Sequence, residues 1–132
     1  MHDLGIPCVV ITSISFPSEP DTITLLASLV HSANGGEGGA RKERVKMNVK
    51  KLPQSFTGTG DLIAALLLAW FQRGADLKTV VEYATATVQA VLSKTLQASD
   101  GSVRSRELQL IASRDQIANP QVPDSLRAER LP

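Results

Sequence analysis

Residues 56–71 run Phe56-Thr57-Gly58-Thr59-Gly60-Asp61-Leu62-Ile63-Ala64-Ala65-Leu66-Leu67-Leu68-Ala69-Trp70-Phe71, and the change of character within this stretch decides the fold. Gly58 and Gly60 let the backbone turn tightly and approach a ligand with no Cβ atom in the way. From Asp61 onward the residues are good helix formers and apolar all round, which predicts a buried helix. Arg73-Gly74 closes it with a cation in the last turn and a glycine just beyond, and Asp76 stands where the N-cap of a second helix belongs. In that second helix Leu77, Val80, Val81, Ala84, Val88, Val91 and Leu92 keep to one face, up to the stop at Ser99-Asp100-Gly101.

Upstream the period changes to that of strands. Residues 6–12 (IPCVVIT) form a β-branched run that reads as a buried strand ending at Thr12-Ser13, and 22–31 (TITLLASLVH) reads as another. Residues 45–52 (VKMNVKKL) alternate with period two, burying one face and turning Lys46, Asn48 and Lys50 to solvent, so the last two runs are expected to pair as a hairpin. The glycine-rich loop at 32–40 lacks both the Gly-Lys-Ser/Thr of a phosphate loop and the dinucleotide fingerprint, and reads as a surface loop. Downstream, 107–111 reads as a short strand, and Ser113-Arg114-Asp115-Gln116 as a capping box for a last helical turn that ends at Asn119-Pro120. The tail at 119–132, with Pro123 and Pro132, is expected to be disordered.

Strands first and helices after is an unusual order for a whole α/β domain, because an apolar strand wants neighbours on both sides. A portion of a larger domain is expected, with Met1 to Gly5 as the last turn of a helix begun earlier. Size agrees with one core at most: 132 residues, 42% of them apolar. A net charge of +1 argues against nucleic-acid binding driven by bulk charge. The longest apolar run, ten residues at 62–71, falls well short of the roughly 20 that cross a bilayer. The N-terminus has no secretory pattern, and the single cysteine, Cys8, favours a reducing, cytoplasmic location. Within its strand Cys8 reads as a small buried hydrophobe. His2 and His31 have no acidic partner at a useful spacing and receive no role, Trp70 reads as packing at the helix end, and no Cys/His set has metal-ligand spacing.

The chemistry points to 57–61. Backbone N–H groups at the start of the helix point outward unpaired and, with the positive end of the helix dipole, suit phosphate oxygens. Asp61 stands in the first turn beside them, where the dipole keeps its carboxylate ionised. A carboxylate next to a phosphate cradle suits phosphoryl transfer to an alcohol, whose proton must leave as the phosphoryl group is held in line. An N-capped glycine turn without a ligand explains the same residues, and on the pattern alone both readings stand.

Residues 56–70 resemble the signature of pyridoxal kinases, of the ribokinase-like superfamily, in which Phe-Val-Gly-Thr-Gly-Asp continues into a leucine/alanine helix ending in tryptophan. Val10-Ile11-Thr12-Ser13 and the basic strand at 44–51 fit the same branch, and Thr57 stands where valine is usual. The resemblance covers nearly the whole chain but only the C-terminal portion of a family member. It implies an α/β fold, the C-terminal part of a ribokinase-like three-layer αβα architecture, with residues 1–118 as its nucleotide-binding portion.

It also implies ATP-dependent phosphorylation of the 5′-hydroxymethyl group of pyridoxal with a divalent metal, magnesium, by a cytoplasmic enzyme that is a homodimer at full length. Asp61 matches the catalytic base and touches the substrate alcohol, and Gly58, Thr59 and Gly60, with Thr57 beside them, match the anion hole. Thr12 and Ser13 match positions near the ATP phosphates and ribose, and Val49, Lys50, Lys51 and Leu52 match the stretch lining the adenine pocket. Without the family, Thr12 and Ser13 would read as a hydroxyl pair closing a strand and the two lysines as a solvated face. The pyridoxal pocket and the metal-associated acids belong to the N-terminal half in the family, so the chain alone is expected to be inactive. A hydroxymethylpyrimidine or sugar kinase, or a non-catalytic interaction or regulatory fragment, remain as alternatives.

Overall fold

The computed structural model describes residues 1–31, 41–102 and 107–132, so the glycine-rich loop at 32–40 lies outside the described residues. The chain forms two compact units, Met1–Lys51 with Ala128–Pro132, and Leu52–Arg127.

In the first unit a 3-10 turn, His2–Leu4, closes on Gly5, whose φ of 79° only glycine adopts freely. Strands β1 (Cys8–Ile14), β2 (Thr22–His31), β3 (Arg41–Lys50) and β4 (Glu129–Leu131) follow. They form one antiparallel sheet in the order β1-β2-β3-β4. The expected hairpin is present, with Leu25 opposite Met47 and Ala27 opposite Val45. These four side chains are buried on one face, as the period-two pattern of 45–52 requires.

Four details differ from the sequence reading. β3 runs over Arg41–Lys50, starting before the alternating stretch 45–52 and ending short of it. β1 begins at Cys8, since Pro7 has no N–H to give a ladder. It is an edge strand of the described sheet with Ile11 49% exposed, instead of a buried one. The tail expected to be disordered carries a 3-10 turn, Asp124–Leu126, and β4, with Leu131 opposite Arg44 and Glu129 opposite Lys46. Its prolines flank the strand without interrupting it, and the Pro132 carbonyl accepts a 2.9 Å bond from Arg44 Nη1. Arg130 Nε lies 3.4 Å from the Glu43 carboxylate.

The second unit contains α1 (Thr59–Gln72), α2 (Leu77–Gln97), a 3-10 turn (Ile111–Ser113) and α3 (Arg114–Ala118). Burial is exchanged between the two long helices relative to the expectation. α1 buries only Ile63, Leu66 and Leu67 and leaves Leu68 62% exposed, whereas α2 is buried over most of its circumference. The threonines of α2 explain this. Thr87 and Thr95 donate their hydroxyls to the carbonyls of Tyr83 and Val91, each at 2.8 Å, so these two enter the interior with their hydrogen bonds made, whereas the buried Thr85 hydroxyl finds no partner among the described residues. Trp70 packs as expected, its ring edge-on to Tyr83 at 4.8 Å with the Arg73 guanidinium 4.9 Å above it.

The short strand expected at 107–111 is reduced to a single parallel bridge, Glu107 with Thr57. The last helical turn forms, but without its capping box: Ser113 makes no side-chain cap, and among the described residues its buried Oγ has no partner. Asp76 does cap α2, accepting from Thr79 N at 3.1 Å and from Thr79 Oγ1 at 2.9 Å. Asp76→Ala should therefore lower stability by about 1 kcal/mol, read as a shift of the urea midpoint at unchanged slope.

Candidate functional site

The turn into α1 is built by Gly58. Its φ of 86° and ψ of 4° lie in the left-handed region, and its carbonyl accepts the first helical bond from Leu62 N at 3.0 Å. Thr59, Gly60 and Asp61 thus precede the first intrahelical donor, and their N–H groups have no acceptor within the helix. The N-cap residue has no side chain to offer them one. Three backbone donors and the positive end of a 14-residue helix meet at one exposed point.

The Asp61 carboxylate stands in this same first turn and is exposed. On the other side the turn is held by the bridge from Thr57 to Glu107, and a Cβ built on Gly58 would come 3.8 Å from Leu108. At Gly60 a Cβ would meet nothing within 4 Å, so the space beside this position is open. An anion could approach there, with a carboxylate one residue away to receive a proton.

Thr12, Ser13, Val49, Lys50 and Lys51 belong to the first unit, Leu52 and residues 57–61 to the second. The register of β1 against β2 shifts between Ile11 and Ile14, so Thr12 and Ser13 sit in a bulge, a device that re-aims side chains next to sites. Since β1 and β3 both run antiparallel to β2, this bulge and the Val49-Lys50 end of β3 lie at the same end of the sheet. Val49 is buried, so its backbone and not its side chain is available to a ligand; Lys50 and Lys51 are exposed, and Leu52 is half-buried. Cys8 is half-buried instead of buried as expected, and this partial burial still pushes its thiol up, away from the reactive thiolate. His31 does have an acidic neighbour, Glu43 at 3.6 Å, placed by the β2–β3 pairing and invisible in local spacing.

Compared with known proteins, the chain is 40% identical over 136 residues to a pyridoxal kinase of Arabidopsis thaliana, covering 98% of the chain and 41% of that relative. The chain is related to the pyridoxal kinases. The human pyridoxal kinase is 33% identical over 131 residues, covering 92% of the chain and 42% of the relative. Among solved structures, the pyridoxal kinase from Leishmania donovani in complex with ADP superposes with a TM-score of 0.82 at 25% identity, over 99% of the chain and 42% of that protein. No family model matches. The chain therefore spans about two fifths of the length of these pyridoxal kinases and shares their α/β, ribokinase-like fold.

Proposed function

We propose that this chain carries the nucleotide-phosphate and proton-abstracting part of an ATP-dependent pyridoxal kinase. The observation that carries it is the left-handed turn at Gly58, which presents the free amides of Thr59, Gly60 and Asp61 and the Asp61 carboxylate at one exposed helix start. The amides receive the oxygens of the transferring phosphoryl group, whose charge is spread over them as it moves. Asp61 accepts the proton of the attacking 5′-hydroxymethyl group. Thr12 and Ser13 in the bulge are assigned to the phosphate and ribose side of ATP, and 49–52 to its adenine.

The likeness to an ADP-bound pyridoxal kinase supports the nucleotide assignment. Magnesium is the expected companion of ATP. Among the described residues no group of three or more His, Cys, Asp or Glu could hold it, so none of them is assigned to it. The proposal extends to a cytoplasmic enzyme and, at full length, a homodimer. Among the described residues no helix is long and apolar enough to cross a membrane.

The test joins this chain to the remaining three fifths of the Arabidopsis relative and follows formation of pyridoxal 5′-phosphate from ATP and pyridoxal, beside the 132-residue chain alone. Turnover is expected in the joined protein and none in the chain by itself. A folded joined protein that binds ATP but leaves pyridoxal unphosphorylated would overturn the assignment, and turnover of a hydroxymethylpyrimidine in its place would move it to that substrate.

A further inference from the structure

On the first unit, a serine and a histidine form a pair that the kinase reading does not use. His2 Nδ1 lies 2.8 Å from the Ile6 carbonyl, and His2 Nε2 lies 2.8 Å from Ser28 Oγ. A carbonyl can only accept, so Nδ1 carries the proton and, in the neutral ring, Nε2 is the acceptor. Ser28 therefore donates its hydroxyl proton to the imidazole. The backbone carbonyl holds the ring in the one tautomer that can take that proton, the task a carboxylate performs in a Ser-His-Asp set.

The surroundings of Ser28 are those of a small binding site. Ser28 is half-buried and lines a cavity of about 240 Å³ whose apolar walls are Val9, Ile11, Leu26 and Leu131. Arg44, also on the cavity wall, lies directly opposite Ser28 in the β2–β3 register. Its Nη1 is held by the Pro132 carbonyl at 2.9 Å, and the guanidinium brings further N–H donors to the cavity wall. Val9, Ser28, Arg44 and Leu131 thus fall on one row across the sheet, and His2 reaches Ser28 from the 3-10 turn outside it.

We propose that Ser28 is an activated nucleophile for short, apolar acyl esters, with His2 as its base and Arg44 as the donor to the developing oxyanion. Ser28 Oγ attacks the ester carbonyl carbon while its proton passes to His2 Nε2. The ester C–O bond then breaks, and the imidazolium gives that proton to the departing alkoxide, which leaves as the alcohol. Water, deprotonated by His2, next attacks the acyl-serine, releasing the carboxylic acid and restoring the Ser28 hydroxyl. The size of the cavity limits the acyl group to a short chain.

The experiment treats the 132-residue chain with a fluorophosphonate, which bonds its phosphorus to an activated serine oxygen and expels fluoride, and maps the modified residue by mass spectrometry. Ser28 is expected to be modified while the exposed Ser15 and Ser55 are not, and p-nitrophenyl butyrate is expected to be hydrolysed. Ser28→Ala should abolish both signals. His2→Gln, which keeps a polar group near Ser28 but not a base, should slow modification at least about 100-fold at an unchanged circular dichroism spectrum. Modification of Ser28 no faster than of Ser15 and Ser55 would overturn the proposal, as would an equal rate in folded His2→Gln. If His2→Gln fails to fold, the comparison among the three serines in the unaltered chain decides by itself.

Discussion

Asp61→Asn, made in the protein joined to the rest of the Arabidopsis relative, should lower kcat for pyridoxal phosphorylation by at least about 100-fold and leave the KM for ATP nearly unchanged. Removing a general base typically forfeits two to four orders of magnitude, because the alcohol must then shed its proton to water. Asparagine keeps the volume and polarity of the side chain, so the turn at Gly58 and the free amides beside it persist. The lost charge at the helix start costs only about 0.3–1 kcal/mol of stability, too little to unfold the enzyme. A fall in kcat at constant ATP affinity marks an interaction made in the transition state, whereas a raised KM alone would mark a binding group. Near-normal turnover rejects Asp61 as the base, whatever the family likeness suggests.

How far the sequence reaches depends on whether a feature is local. The β2–β3 hairpin is legible because alternation over 45–52 sets which face is buried, and the observed register keeps Val45, Met47 and Val49 together on it. The α2 cap is legible because Asp76 and Thr79 are three residues apart and bond within one turn. Burial of the helices is not. A leucine-rich stretch looks more buried than a threonine-rich one, until the Thr87 and Thr95 hydroxyls find the carbonyl one turn back. Nor is β4 legible, since three residues near two prolines become a strand only because β3 offers them an edge.

The site divides in the same way. Residues 57–61 are contiguous, so their motif carries the turn, the free amides and the carboxylate in one reading. The bulge at Thr12 and Ser13 depends on how β1 registers against β2, which no local pattern specifies. His2 and Ser28 are 26 positions apart, and their pairing exists only once the 3-10 turn and the sheet have formed.

The two glycines of the turn should respond in opposite ways, and their contrast tests the anion site apart from the fold. Gly58→Val forces a β-branched side chain into φ 86°, a conformation costing of order 1–3 kcal/mol for such residues, and brings it against Leu108. It should lower stability and, by reshaping the turn, remove most of the turnover of the joined protein. Gly60 sits inside the first turn of α1 with open space where a Cβ would go. Gly60→Ala should raise helix stability by up to about 1 kcal/mol, because alanine orders more readily in a helix. Yet the new methyl group takes up open space at the helix start that a bound phosphate would need, so ATP affinity should fall at least tenfold while the protein becomes more stable. Thermal unfolding and ATP titration on the same two variants separate the outcomes. A stabilised Gly60→Ala protein that binds ATP as tightly as before would show that the helix start at Gly58 is an N-terminal turn and no phosphate site.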